Sequence, residues 1–334
     1  MTTIHLGSLT LYPYGLALCA ATALALALAG LAFRRHGLKA GALSWFALLG
    51  IPLGVMGARL AYCLAALDWV MQEGFGFFLQ LNRGGYMLYG ALAGCALALW
   101  LTARITGESF ARMADRLAAP AMVLILLGRL AEGLVGQGYG WCVEDWFMED
   151  SGMSLFVLED PSFFYRLPFA VPDMYGNYNW AVFIPEALAA GLIALAVWRT
   201  RPRREGGRAL LALLLYAATQ VLGESLRQDA VLRWGFVRIN QIICAVIIAG
   251  LLIHCMLRAP HPRAGQLVGL SAGMLVCMGV VIAMEFALEK KISAIEFLPM
   301  DVCYLIMALA CAGLVLCVLP LWRRAYPPRT DLRA

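Results

Sequence analysis

Apolar runs of about twenty residues recur along this chain, and nothing in it constrains the fold more. No water reaches the hydrocarbon interior of a bilayer about 30 Å thick, so a crossing segment must satisfy its own backbone groups, which a helix of roughly 20 residues does. Such runs lie near residues 14–33, 41–67, 85–103, 117–136, 180–198, 209–224, 236–257, 266–288 and 302–322. They predict an all-α, polytopic integral membrane helical bundle with nine spans. Only 14% of the residues are charged, where soluble domains carry about 25%.

Arginine and lysine set the orientation, because cytoplasmic loops retain them. The connections 34–39, 104–116, 199–208 and 258–265, with the tail from Arg323, hold 17 of the 26 basic residues. Segment 140–179 has seven acidic residues against Arg166 alone. The N-terminus is therefore expected outside and the C-terminus in the cytoplasm, with 140–179 as an extracytoplasmic head rich in Trp, Phe, Tyr and Pro. The head reads equally as a folded cap at headgroup level or as a mobile segment. The first run is followed, not preceded, by Arg34, Arg35 and Lys39, unlike a signal peptide, and is expected to stay in the mature protein. Nine of the ten cysteines fall in or beside apolar runs, where Cys acts as a small hydrophobe. No disulfide framework, metal motif or cofactor motif is visible. The net charge of +5 is accounted for by loops beside anionic headgroups, which leaves no reason to invoke nucleic acid.

Ionisable side chains inside spans cost about 2.5 kcal/mol or more at the centre and usually face an interior cavity. They are Arg59 in GVMGARLAYCL, Arg129 and Glu132 in GRLAEGLVGQGYG, Glu186 in FIPEALAAG, Glu224 and Arg227 in GESLRQD, and Glu285. Positions 129 and 132, like 224 and 227, are three apart and share a helix face. For Arg59 and Glu285 the plain account is an internal ion pair or a snorkelling side chain. Arg129 and Arg227 sit near span ends on the same side, where two guanidinium groups can converge on a lipid phosphate. Gly133, Gly136, Gly138 and Gly140 each cost about 1 kcal/mol in a helix. They suit close approach of a neighbouring helix or of a ligand.

With those residues in view, the chain resembles the bacterial prolipoprotein diacylglyceryl transferases over residues 5–257. The opening HLGSLTLYPYGL is similar to that family's first-helix entry, with Tyr14 on its tyrosine, and GARLAYCL to its Gly-x-Arg-Leu-x-Tyr element through Arg59. Segment GGYMLYGALAG falls on its Gly-Met-Ser-Phe-His-Gly-Gly block. GRLAEGLVGQGYG falls on its signature Gly-Arg-x-x-Asn-Phe-x-Asn-Gly-Glu-x-x-Gly through Arg129, Gly136 and Gly140. PEALAAG, GESLRQD and INQIICAVIIAG resemble later blocks through Glu186, Glu224, Arg227 and Gln241. The chain departs from the pattern where the block histidine is Tyr89, the signature asparagine Glu132 and its glutamate Gln137. Trp180 and Ala181 stand where a His-Pro is expected.

The resemblance implies a seven-helix transferase-like core at 1–257, followed by a two-helix extension and tail at 258–334. It implies transfer of the diacylglyceryl group of phosphatidylglycerol to the lipobox thiol of a prolipoprotein, recognised by its signal peptide, in the bacterial inner membrane and without a cofactor. Arg129, Arg227, Tyr89 and Glu132 are then the expected catalytic residues, and Tyr14, Arg59, Gly136, Gln137, Gly140, Glu186, Glu224 and Gln241 the expected substrate contacts. Arginines suit a departing phosphate because they stay charged when desolvated, and a thiol of pKa about 8.5 needs a base or a positive field. The alternative is a non-catalytic protein that binds or translocates phospholipid with the same arginines. A transporter is less suited, since no matching pair of interrupted helices marks inverted repeats.

Overall fold

The computed structural model describes all residues except 1–3, 7–8, 149–154, 156–157, 159, 161, 174, 229–231, 235–236, 296 and 329–334. Parts of the expected head, among them 149–154, thus lie outside the described residues. The elements in chain order begin with a hairpin of β1 (Ile4–Leu6) and β2 (Leu9–Leu11), then α1 (Pro13–Arg35), α2 (Ala40–Ala65) and a short α3 (Leu67–Glu73). Next come α4 (Leu88–Thr106), α5 (Phe110–Glu132), β3 (Tyr139–Cys142), α6 (Val143–Met148), α7 (Ser162–Tyr165), β4 (Ala170–Pro172) and β5 (Tyr178–Ala181). The remainder is α8 (Phe183–Arg199), α9 (Gly207–Leu226), β6 (Arg233–Trp234), β7 (Val237–Arg238), α10 (Ile239–Arg258), α11 (Ala264–Leu288) and α12 (Met300–Ala325).

Eight of the described helices are at least 18 residues long and apolar enough to span a membrane. The ninth expected span, at 180–198, is α8, a helix of 17 residues, at the lower end of what crosses a bilayer. Strand β5 takes residues 178–181, so the helix cannot start earlier. Helix α5 starts seven residues before the apolar run, because Ser109 caps it by accepting from Arg112 N at 3.3 Å.

Helix α9 is the hub. It packs against α5, α8, α10 and α12, and 61% of its most apolar window is buried. Its first turn is fixed from outside: Asp115 of α5 accepts from Gly206 N at 2.8 Å and Ala209 N at 3.0 Å, so one carboxylate satisfies two amides that a helix start leaves unpaired. Behind α9 a single apolar core joins Leu214, Ile248 and Leu252 to Met307, Leu314 and Leu321 of α12. Trp322 Nε1 donates to Gly207 O at 3.0 Å across the same interface. The C-terminal hairpin therefore shares one core with the preceding helices. On the far side, α2 and α4 meet backbone to backbone. A Cβ at Gly94 would collide with the Leu53 carbonyl, and one at Gly57 with the Gly90 carbonyl, the close approach that small residues permit in membranes.

The head has a folded centre. Strands β3, β5 and β4 form an antiparallel sheet in that order, over a cluster of Val143, Phe147 and Ala170 with Phe164 and Trp180 around it. Tyr165 stacks on Tyr178 at 4.2 Å and donates to Glu144 Oε1 at 2.6 Å. That hydrogen bond holds the Tyr165 phenol up to about 12. Trp146 stacks on Tyr304 of α12 at 5.2 Å, and Trp141 Nε1 donates to the Tyr304 hydroxyl at 2.9 Å. The head is thereby seated on the second hairpin helix.

Candidate functional site

Four charged side chains from three helix ends meet under the head. Arg129 and Glu132 come from the last turn of α5, Glu186 from the first turn of α8, and Arg227 from the residue that ends α9. Arg129 Nη1 lies 2.8 Å from Glu132 Oε1 and 3.4 Å from Glu186 Oε2, while Arg227 Nη1 lies 3.0 Å from Glu132 Oε2 and 3.1 Å from Glu186 Oε2. The contacts close a ring of two cations and two anions. Its side chains are between 4% and 13% exposed, so the charges are nearly dry and face one another. A buried ion cluster is tolerated when closed and strongly destabilising when one member is removed.

Polar residues of α9 hold the ring in place. Gln220 Oε1 accepts from Arg129 Nη2 at 2.7 Å while its Nε2 donates to Glu186 Oε1 at 3.2 Å, and the Tyr216 hydroxyl accepts from Arg129 Nη2 at 3.4 Å. Tyr216 and Gln220 are four apart and so share a face. Neither was foreseen, although two polar groups spaced a turn apart in LLLYAATQVLGESL are a usable signal. The glycines admit this approach. A Cβ at Gly223 would sit 2.6 Å from Glu186 Oε1, and one at Gly138 would sit 2.9 Å from Glu132 Oε2. Gly138 also has φ +77°, a backbone that side chains rarely adopt.

Glu132 Oε2 is the member with capacity left. Its contact to Arg227 is an ion pair without hydrogen-bond alignment, and this buried oxygen has no hydrogen-bond donor. Tyr14, half-buried in the first turn of α1, lies within electrostatic range of Glu132, Arg129 and Arg227. Beside the ring, an apolar groove of about 320 Å³ runs between α8, α9 and α12. Glu186 and Gln220 line it together with Pro185, Leu215, Ala308 and Val315.

Other expected site residues lie elsewhere. Arg59 is fully buried, and its guanidinium donates to the carbonyls of Phe77 at 2.7 Å, Gln80 at 3.3 Å, Phe78, Gly84 and Gly85, with the Phe77 ring 4.4 Å away. It is the staple of the segment after α3, with its donors committed to backbone. The Tyr89 hydroxyl is 2.8 Å from Cys244 Sγ on α10 and makes no hydrogen bond to the ring. Glu224 accepts from Asn240 Nδ2 at 2.7 Å. Gln241 donates to Val221 O at 3.1 Å and to Glu285, on the α10 side of α9. Gly136 and Gln137 are exposed in the turn that ends α5, where Gln137 N donates to Glu132 O at 3.1 Å. Gly140 lets β3 pass α8 and α9, since a Cβ there would lie 2.7 Å from Val182 Cγ2 and 2.9 Å from Leu226 O. Arg238, not foreseen as a site residue, is 4% exposed and donates to the carbonyls of Glu224 and Arg227, the latter at 2.7 Å, which braces the turn that carries Arg227. Among the described residues no three His, Cys, Asp or Glu side chains are grouped to hold a metal ion.

The ring lies beside an apolar groove, and the chain that carries both is similar to known proteins. The family profile described as prolipoprotein diacylglyceryl transferase matches residues 1–257. The chain is 29% identical over 267 residues to the phosphatidylglycerol–prolipoprotein diacylglyceryl transferase of Symbiobacterium thermophilum, covering 77% of this chain and 92% of that protein. It is 26% identical over 266 residues to the enzyme of that name from Enterococcus faecalis, covering 78% and 90%, and 27% identical over 260 residues to that from Bacillus velezensis, covering 76% and 90%. Matched along three-quarters of its length, with a multi-pass helical bundle around the matched residues, this chain belongs to the prolipoprotein diacylglyceryl transferase family.

Proposed function

We propose that this protein transfers the diacylglyceryl group of phosphatidylglycerol to the lipobox thiol of a prolipoprotein, releasing glycerol phosphate. The observation that carries the proposal is the convergence of Arg129 and Arg227 on one ring at the end of an apolar groove, in a chain of this family. An acyl chain suits the groove, and the phosphate suits the guanidinium groups.

The reaction breaks the bond between the glycerol carbon and the phosphate oxygen while the thiol sulfur bonds to that carbon. The phosphate leaves with the electron pair, and the thiol proton must go elsewhere. Glu132 is the acceptor we assign, through Oε2, which accepts no hydrogen bond and lies 3.0 Å from Arg227 Nη1. The ring gives that transfer a second use. As Glu132 takes the proton its charge disappears, and Arg129 and Arg227, left with Glu186 as their one ring carboxylate, turn toward the phosphate in the moment when the phosphate gains charge. Net charge in the site is conserved, and stabilisation grows in the transition state, which is what accelerates a reaction. Tyr14 supplies a hydroxyl at the rim, Glu186 and Gln220 orient Arg129, and Arg238 and Glu224 position the turn bearing Arg227.

Arg129→Ala tests the reading. Labelling of a lipobox peptide in vesicles containing phosphatidylglycerol should fall at least 10²-fold, as when one oxyanion donor is removed, measured on protein that retains native helix content, since loss of a ring member also destabilises. Labelling retained by that variant excludes this site. A second reading is favoured by one contact, the engagement of Tyr89 with Cys244 where the family pattern has histidine. Here the chain binds or translocates phosphatidylglycerol through the same arginines without reaction. Its mark is lipid binding lost in Arg129→Ala with no glycerol phosphate released by the native chain.

The proposal includes the organisation of the chain. Residues 1–257 form the transferase domain and 258–334 an extension that buttresses it. The N-terminus and the head lie outside, and the C-terminus lies in the cytoplasm, as the placing of 17 of 26 basic residues supports.

A further inference from the structure

A second polar hollow is lined by Ser225 and Gln228, close to Arg227 in the chain. It is half-open, about 290 Å³, and its walls include Ser225, Arg238, Glu285, Leu288, Glu289 and Tyr304. Two buried polar atoms on residues that line it lack hydrogen-bond partners, Arg238 Nε and Ser225 Oγ, on residues 4% and 1% exposed. Buried polar groups in folded proteins are nearly always paired, and an unpaired one calls for an explanation. Arg238 is held by Nη1, which donates to the Glu224 and Arg227 carbonyls. Tyr304 is committed, accepting from Trp141 Nε1 and donating to Ser225 O at 3.0 Å.

The residues lining the hollow therefore include a guanidinium and a hydroxyl together with carboxylates. Glu285 is fixed by Gln241, and Glu289 pairs with Arg233 at 3.2 Å at the rim. A guanidinium with a neighbouring hydroxyl suits phosphate oxygens. Carboxylates accept hydrogen bonds from hydroxyl groups. The two together fit a phosphate ester that carries hydroxyls at its other end. Four of the walls, Glu285, Leu288, Glu289 and Tyr304, belong to α11, α12 and the turn after α11, beyond residue 257, where the family match stops. The backbone around Arg227 links the hollow to the charged ring. Arg227 reaches into the ring, while its neighbours Ser225 and Gln228 line the hollow and its own carbonyl binds Arg238.

We infer that this hollow, built by the C-terminal hairpin, binds a phosphoglycerol group, as a lipid headgroup or as free glycerol phosphate. The glycerol identity rests on the transfer reaction proposed above; the fit to a hydroxylated phosphate ester does not.

The test uses the full-length protein in phosphatidylcholine nanodiscs, titrated with glycerol phosphate and followed by phosphorus NMR. Native protein should bind saturably. Leu288→Trp, which fills the hollow, and the isosteric Glu285→Gln should each weaken binding at least tenfold. Inorganic phosphate, which lacks the glycerol hydroxyls meant for Glu285, should respond less to Glu285→Gln than glycerol phosphate does. A second arm uses nanodiscs containing phosphatidylglycerol without free ester and counts retained lipid by native mass spectrometry. One lipid fewer in Leu288→Trp and in Glu285→Gln assigns the hollow to a headgroup, whereas a response in the first arm alone assigns it to the free ester. Binding unaltered in both arms by Leu288→Trp and Glu285→Gln overturns the inference. Neither arm uses turnover, so absence of transfer activity would refute the proposed function and leave this result standing.

Discussion

Replacing Glu132 by glutamine separates the two duties assigned to that side chain. In the native ring the carboxylate lies 2.8 Å from Arg129 Nη1 and 3.0 Å from Arg227 Nη1, and so competes with any phosphate for both guanidinium groups. A phosphate sharing those nitrogens would sit about 5 Å from the carboxylate. At an effective dielectric constant of about 20 the repulsion between two unit charges there is about 3 kcal/mol. The Glu132 side chain is 13% exposed, so little of that is screened by solvent. Removing it corresponds to a gain in lipid affinity of up to about a hundredfold. Glutamine keeps the shape and one acceptor but takes no proton, so kcat should fall by about 10² to 10⁴, the usual contribution of a general base. The assay is steady-state transfer to a lipobox peptide over a range of phosphatidylglycerol content, and with chemistry slowed KM approaches the dissociation constant. The expected outcome is a lower KM together with a lower kcat. An undiminished kcat refutes Glu132 as the base. An unchanged or higher KM refutes the competition between carboxylate and phosphate.

Three further outcomes follow from the packing and the charges. Gly94→Val places a side chain against the Leu53 carbonyl and should destabilise the α2–α4 pair by about 1–3 kcal/mol, read as a lower melting temperature in detergent, while Gly250→Ala, which meets nothing within 4 Å, should not. Tyr304→Phe removes the hydrogen bonds from Trp141 and to Ser225 O; about 1 kcal/mol per bond is expected, with faster proteolysis of the head as the readout. His36 titrates below its ordinary value of about 6.5, through burial first and then through Arg116, Arg208, Arg112 and Arg201. The unfolded chain then takes up the proton first as pH falls through 6.5, so stability is present above that pH and declines below it; His36→Gln should flatten melting temperature against pH between about 7.5 and 5.5.

The spans were legible because each apolar run is long enough to need no other clue. Their ends were not, since Ser109 and β5 set them through local hydrogen bonds that hydropathy does not register. The pairing of Arg129 with Glu132 follows from a spacing of three, but the closure of the ring by Glu186 and Arg227 requires three helices to cross at one level, which no single segment encodes. Arg59 shows the opposite limit. Its place in a motif suggested a substrate contact, yet an arginine has five donors, and what they meet is decided by how residues 77–85 fold back over it. Tyr89 likewise occupies a motif position while its hydroxyl is turned to Cys244. The head was readable either way from its aromatic and acidic content, and its ordered centre depends on stacking against a helix more than 150 residues away in sequence.

The length of α8 bears on how water and lipid meet at the ring. At 1.5 Å per residue its 17 residues reach about 26 Å, against about 30 Å of hydrocarbon. A neighbouring bilayer relieves such a mismatch by thinning, which draws a dimple of headgroups down toward the first turn of α8. Glu186 stands in that turn. If α8 crosses the bilayer, as the proposed function has it, a helix this short would lower the polar surface to the depth of the charges and spare a phosphate part of the descent into oil.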